Sequence, residues 1–307
     1  MMLIFGAGLA GLLAGRVFGK NHDVKIIERQ EELPNNHTAL LRFRTNNISK
    51  ELGIPFRKVT VRKALVNQME EVTDRVTIAD MNAYSALVTD GVYERSIANL
   101  ASGERYIAPN DFVIRLANGL NIEYAINASC HNTVSEPIIS TLPMPELMKM
   151  LEYQNDLSFQ SRTIWTINCY IRNCDVFQTL YLPHGGLREI APYRASITGN
   201  KLTLEFNQEP IIDPGFYVID ILNTLKIPCG FEQVTVKRQP YGKLIPIDDV
   251  ERKAFIVWAT DNFNIYSLGR FATWRKELLL DDVLDDIHHI STFIQYRSTY
   301  ERRKHYT

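Results

Sequence analysis

The first five residues, Met1 to Phe5, are all apolar, the pattern of a parallel strand buried on both faces. Leu9, Leu12, Leu13 and Val17 then recur at helical spacing, and Asp23 to Ile27 reads as a second strand. Further on, 108–120 (APNDFVIRLANGL) predicts a helix with Pro109 early, Asn110 or Asp111 near the cap and Gly119 at its end. β-Branched and aromatic residues at strand-like spacing predict strands over 163–171, 179–182, 191–197 and 201–206. Two more helices are predicted over 215–226 and 278–296. In the last of these, Leu280, Val283, Leu284, Ile287, Ile290 and Ile294 share one face. No internal repeat and no Gly/Ser/Pro-rich linker interrupts the chain, so a second unit is expected to be intercalated between returning pieces of the first.

Between the first strand and the first helix stands Gly6-Ala7-Gly8-Leu9-Ala10-Gly11, a complete G-x-G-x-x-G. Gly6 permits the tight turn, Gly8 admits a pyrophosphate to the backbone N–H groups, and Gly11 lets helix and strand pack closely. The helix N-terminus favours the phosphate charge through its unpaired N–H groups and its dipole. The second strand ends in Glu28, whose carboxylate can accept from ribose hydroxyls and would repel a 2′-phosphate. The order strand, loop, helix, strand and acid predicts a dinucleotide site and argues against NADP.

Composition narrows the class without naming it. The chain has 307 residues, 45% hydrophobic and 22% charged, enough for a sizeable core in one large or two joined domains. Its formal net charge of −1 gives no global field towards nucleic acid or membrane. No apolar run reaches spanning length, and Met1 leads directly into a core-like strand, so no membrane contact, no leader and a cytoplasmic location are expected. The four cysteines, Cys130, Cys169, Cys174 and Cys229, form no C-x-x-C pair and have no histidine cluster beside them. Neither zinc nor a disulfide framework is predicted. No Ser/His/Asp or Cys/His arrangement is legible; His288 and His289 sit mid-helix without a metal-spaced partner, and His184 reads as part of a hairpin turn.

Charge is local instead. Residues 42–63 carry seven basic residues (Arg42, Arg44, Lys50, Arg57, Lys58, Arg62, Lys63) against one acid, Glu51. With Phe43 and Phe56 interleaved, this strip would suit DNA; a solvated face balanced by acids elsewhere is the competing reading. Arg42 and Arg44 have two readings of their own, a solvated loop or a guanidinium fork on a cofactor phosphate or a substrate carboxylate.

The first motif, closed by Glu28-Arg29, resembles the FAD-binding fold of the amine oxidase, protoporphyrinogen oxidase and UDP-galactopyranose mutase superfamily. EPIISTLPMPEL (136–147) is similar to that family's returning strand and turn. NIYSLGRFATWR (264–275) resembles its C-terminal flavin signature, in which Gly-Arg precedes a helix facing the isoalloxazine. LYLPHGGLREIAPYRASI (180–197) resembles its substrate-domain sheet. The mutase's usual histidine loop is not reproduced in HTALLRFRT (37–45). The resemblance implies a three-layer, Rossmann-like FAD/NAD(P)-binding α/β domain with an intercalated mixed-sheet α+β substrate domain. Residues 1–45, 105–150 and 250–307 would form the first, and 46–104 with 151–249 the second.

It also implies FAD as cofactor. Gly6, Ala7, Gly8, Leu9, Ala10 and Gly11 would hold it with Glu28 and Arg29. Leu41, Arg42 and Thr141 would join from the following segments, and Gly269, Arg270, Thr273 and Trp274 from the C-terminal signature. Trp274 packs either on the flavin or in the core. Asp281 and Asp282 read as helix-start residues. Candidate catalytic residues are His37, Arg44, Tyr193, Arg194 and Tyr241. The implied activity is oxidation of a carbon–nitrogen bond. A second resemblance, of LLRFRTNNISKELGIPFRKVTVRKAL and ERYIAPNDF (104–112) to compact bacteriophage flavoproteins, implies a modified nucleobase as substrate, an amino-acid adduct on thymine trimmed to an aminomethyl base. A mutase-like isomerase and a non-catalytic flavin-binding protein are the alternatives.

Overall fold

A computed structural model describes the chain apart from residues 34–40, 90–95, 130–135, 186–189 and 305–307. His37 and Cys130 therefore lie outside the described residues.

The chain opens with β1 (Met2–Phe5), α1 (Leu9–Phe18) and β2 (Val24–Ile27), followed by β3 (Arg42–Phe43), α2 (Asn47–Leu52) and β4 (Arg57–Val66). Next come β5 (Val72–Thr73), α3 (Ile78–Thr89), β6 (Gly103–Ile107), α4 (Phe112–Ala117) and β7 (Asn121–Glu123). The middle holds β8 (Ile138–Ser140), α5 (Met144–Met150), β9 (Ser161–Ile171), β10 (Val176–Tyr181), β11 (Arg194–Gly199) and β12 (Lys201–Phe206). The chain closes with α6 (Pro214–Thr224), β13 (Phe231–Leu244), α7 (Asp249–Phe263), β14 (Ile265–Ser267) and α8 (Leu280–Lys304).

Five strands form a parallel sheet in the order β14-β8-β1-β2-β7. The central strand β1 is wholly apolar because helices cover both faces of the sheet, while the edge strand β7 carries Asn121 and Glu123. On one side Ile4, Ile26, Ile139 and Tyr266 pack with Leu12, Leu13 and Phe18 of α1 and with Val283, Leu284 and Ile287 of α8. On the other, Phe5, Ile138 and Ile265 pack with Leu147 of α5 and Phe255 of α7. This is the three-layer, Rossmann-like domain, and β1 lies at its centre because nothing but apolar side chains is tolerated there.

The second sheet follows the order β13-β9-β12-β11-β10-β4-β6-β3, with β5 paired to β4. Along its strands one set of alternate positions, including Ile167, Leu180, Ala195, Ile197, Leu202 and Leu204, packs against Tyr217, Val218 and Ile221 of α6. The other set is mostly polar but includes Leu65 and Tyr181, which pack with Tyr84 and Tyr193. The sheet curls: Arg42 of edge strand β3 donates from Nε to Thr198 Oγ1 of β11 at 2.8 Å and from Nη1 to Thr179 Oγ1 of β10 at 2.8 Å. A flat sheet would hold β3 and β10 about 14 Å apart, three strand spacings.

Two sequence expectations change. The helix expected over 108–120 is only Phe112–Ala117; Asn118 turns extended at ψ 122 and Asp111 binds Arg115 at 2.8 Å instead of capping. The strand expected over 191–197 begins later, at Arg194. No helix among the described residues is long and apolar enough to cross a membrane.

Candidate cofactor and substrate site

The turn between β1 and α1 explains each of its glycines. Gly6 has φ +93, and a Cβ there would lie 2.4 Å from Thr141 Oγ1. A Cβ on Gly11 would lie 1.9 Å from the Gly6 carbonyl oxygen, so only hydrogen fits where helix crosses strand. Gly8 differs: it is extended (φ −68, ψ 175), and a Cβ there would meet nothing within 4 Å. It begins α1 with no side-chain cap, leaving the helix's first N–H groups to a ligand. Leu9 and Ala10 continue the helix and rest half-buried on the core beneath.

Glu28, at the end of β2, is buried and turns back to this turn. Its Oε2 accepts from Ala7 N at 2.7 Å and its Oε1 from Gln30 N at 2.9 Å. A carboxylate offers about four acceptor positions, so two remain for ribose hydroxyls. Arg29 points away to solvent, 3.8 Å from Glu146. Thr141, just past β8, donates to the Phe5 carbonyl at 2.6 Å. The turn after β14 closes the same edge: Gly269 has φ +94, and its missing Cβ would come within 2.9 Å of Ala10 Cβ. Thr273 donates back to the Gly269 carbonyl at 2.8 Å. Three turns thus meet at the carboxyl ends of the parallel strands, with open space at Gly8. The residues present fit a dinucleotide.

Arg270 leaves this turn half-buried. It donates to the Gly242 carbonyl of β13 at 3.3 Å, and its Nε is buried without a partner; burial lowers its guanidinium below the ordinary value. Tyr241, largely exposed, sits edge-on to Phe271 at 6.4 Å, so β13 reaches the same turn. Trp274 is buried against the opposite face of the sheet; its indole N–H donates to the Ile245 carbonyl at 2.9 Å and its ring packs on Phe159. The core reading of Trp274 describes it.

Leu41 is half-buried against the first core. Arg42, expected beside the cofactor, instead ties β3 to β10 and β11, because strand alternation turns it onto the polar face of the curled sheet. Besides the two threonines it donates to the Gln178 carbonyl at 3.2 Å and to that of Ile197. Burial, then Arg194, lowers its guanidinium to about 10. Arg44 is exposed, while its backbone N–H donates to Asp281 Oδ2 at 3.0 Å; Thr45 N donates to Asp281 Oδ1 at 3.1 Å. Asp281 therefore joins α8 to the β3 loop. Asp282 accepts from Leu279 N at 2.8 Å and caps α8 itself.

Tyr193 and Arg194 meet a residue that sequence reasoning passed over. Tyr193 OH donates to Glu205 Oε2 at 2.7 Å, and Arg194 donates to Glu205 Oε1 from Nε at 3.0 Å and from Nη2. Burial alone would raise the Glu205 carboxyl, but Arg194, then Lys243, hold it down to about 2. Burial, then Glu205, pushes the Tyr193 phenol well up. Alternation in KLTLEF (201–206) places Glu205 on the polar face, which was the available signal. His184 also has an unforeseen partner: its Nε2 lies 2.6 Å from Asp80 Oδ1, and Asp80 caps α3 through Thr77.

Of the basic strip, Arg57 pairs with Asp175 at 2.6 Å and Lys58 with Glu104 at 2.5 Å, while Lys63 turns inward and donates to the Asn99 carbonyl at 3.0 Å. No group of three His, Cys, Asp or Glu residues able to hold a metal occurs among the described residues.

The sequence matches no protein-family model and no curated protein. Its fold is similar to that of solved structures at low identity. A reduced UDP-galactopyranose mutase aligns with TM-score 0.64 and 12% identity over 96% of this chain and 94% of that one. An oxidoreductase from Methanosarcina mazei aligns with TM-score 0.60 and 11% identity over 95% and 99%. A 2-methyl-3-hydroxypyridine-5-carboxylic acid oxygenase aligns with TM-score 0.51 and 12% identity over 95% and 85%. These likenesses, with the two sheets above, define the fold as a Rossmann-like FAD/NAD(P)-binding domain carrying a mixed-sheet domain.

Proposed function

We propose that this protein is an FAD-dependent oxidoreductase that oxidises a carbon–nitrogen bond in an amine or amino-acid-type substrate. The observation that supports its cofactor is the turn edge at Gly6, Thr141 and Gly269, closed by sub-van der Waals constraints except at Gly8, where space and unpaired helix N–H groups remain; the carbon–nitrogen chemistry rests on the resemblance of the sequence motifs. In this reading the N-terminus of α1 holds the pyrophosphate and Glu28 takes the adenosine ribose. FAD supplies a hydride acceptor for the carbon next to nitrogen, and water splits the resulting imine. The chain's share is to seat the substrate between the cofactor edge and the polar face of the curled sheet. Asp281 at the start of α8 accepts from the backbone N–H groups of Arg44 and Thr45, which ties that helix to the segment after β3.

The resemblance to bacteriophage flavoproteins supports a finer form, in which the substrate is an amino-acid adduct on thymine in DNA and the product an aminomethyl base. The similarity in fold to a UDP-galactopyranose mutase supports a second reading, isomerisation of a nucleotide sugar without net redox change. The test is direct. Purified protein should carry flavin absorbance that bleaches anaerobically with an amino-acid-modified thymine oligonucleotide. Turnover of a UDP-sugar only after dithionite reduction would replace this reading by the second, and a colourless protein that takes up no FAD would sink both.

A further inference from the structure

The polar face of the curled sheet carries a charge imbalance. Residues paired in register project to the same face. One row therefore runs Lys63, Thr179, Ser196, Thr203, Asn168 across β4, β10, β11, β12 and β9. The neighbouring row holds Tyr181, Arg194 and Glu205. Arg105 of β6 stands opposite Val59, four residues before Lys63 on the same face, and Arg42 stands opposite Ile107, two residues after Arg105. Arg42, Lys63, Arg105 and Arg194 thus share one face, and Arg44 follows at the end of β3.

Within these rows Glu205 is the one carboxylate, and Arg194 and Tyr193 occupy it. Arg42 spends its N–H groups on four neutral oxygens. Lys63 gives one of its three protons to the Asn99 carbonyl, and Arg105 gives one of its five to the Glu104 carbonyl at 2.6 Å. The Arg44 guanidinium has no partner among the described residues. Lys243 also faces Glu205, and Arg44 opens on a cleft that Asp249, Glu277 and Asp282 line, so the uncompensated positive charge is concentrated around Lys63 and Arg105. Burial, then Arg105 and Arg44, push the Lys63 ammonium below its ordinary value, as crowded like charges must. Such a cluster attracts an anion, because the like charges lower one another's stability until something negative stands among them.

We propose that Lys63, Arg105 and Arg44 form the recognition site for an oxyanion of the substrate, a carboxylate or a phosphate. The inference rests on the proposed function only in calling that oxyanion the substrate's. The cluster favours a substrate that carries an oxyanion over a simple amine. Arg42, already committed to the sheet, positions the site from behind.

The test is calorimetric titration of the whole protein with methyl phosphate and with acetate, at constant ionic strength set by potassium chloride. One or both anions should bind more tightly than chloride; preference for methyl phosphate assigns a phosphate, and preference for acetate a carboxylate. Lys63→Met and Arg105→Gln should each weaken binding about tenfold, and Arg105→Lys should recover part of it. Melting curves identify any variant that fails to fold, in which case Arg44→Gln, on an exposed side chain, replaces it. Wild-type affinity in the folded variants, or no binding beyond chloride, overturns the proposal. Flavin content is read on the same samples. Protein without flavin that still binds anions through Lys63 and Arg105 keeps the oxyanion site and loses only the cofactor reading. Flavin-loaded protein indifferent to Lys63 and Arg105 loses only the oxyanion site.

Discussion

Gly8→Ala separates folding from cofactor retention more sharply than any other single change. The backbone at Gly8, φ −68 and ψ 175, is open to any L-residue, and the added methyl meets nothing within 4 Å. The cost to folding is that of replacing glycine by alanine at a helix N-cap, under about 1 kcal/mol, or a melting shift on the order of 2 °C. The methyl would, however, occupy the space through which a pyrophosphate reaches the first N–H groups of α1. Losing two charge-assisted hydrogen bonds at roughly 1.5–3 kcal/mol each weakens FAD by about 3–6 kcal/mol, some 10²- to 10⁴-fold. The assay is titration of flavin-free protein with FAD, followed by quenching of flavin fluorescence, beside a melting curve of each variant. A folded Gly8→Ala protein that binds FAD as tightly as wild type refutes the placement of the pyrophosphate at α1.

Gly11→Ala should behave differently: its methyl would stand 1.9 Å from the Gly6 carbonyl, so helix and strand must part by more than an ångström. Both stability and FAD binding should fall, and an unchanged melting temperature would show that α1 does not cross β1 so closely. Glu205 predicts an acid response. Its folded carboxyl, at about 2 against an ordinary 4.5, stabilises the protein above pH 4.5, and that contribution is lost as pH falls towards 2. The shift is worth about 3 kcal/mol, so Glu205→Gln should lower the neutral-pH melting temperature by on the order of 5 °C and flatten its decline below pH 5. A parallel acid decline in both proteins would argue against the carboxylate's role. Burial pushes the Cys169 thiol up to about 12, so iodoacetamide at pH 8 should spare it in folded protein and modify it in urea, as mass spectrometry of the alkylated peptide would report.

The glycine turn was legible because Gly6 and Gly11 answer backbone constraints that leave a mark in the sequence. Gly6 and Gly11 cannot carry a side chain, and Glu28 recurs at the distance one helix and one strand impose. The polar face of the second sheet was not legible in the same way. Arg42 lies 137 residues from Thr179 and 156 from Thr198, and only the curl of the second sheet brings them together. Read along the chain, it belonged to a basic strip; folded, that strip is divided between surface ion pairs at Arg57 and Lys58, exposed side chains at Arg44, Lys50 and Arg62, and the partly buried Arg42 and Lys63. Glu205 stood in plain alternation among Leu202, Leu204 and Phe206, yet its weight comes from Arg194, which β11 supplies in register. Helix α7 was missed for a related reason: it buries only Phe255 and Ala259, too thin a stripe for periodicity, although Asp248 caps it through Val250 and Glu251. Local backbone needs can be read from neighbouring residues, whereas charge balance belongs to a whole sheet face. Lys63 and Arg105 are ordinary surface residues in sequence. They become a candidate anion site only when the register places no spare carboxylate beside them, and for that reason the oxyanion titration bears on this protein's substrate more closely than any motif.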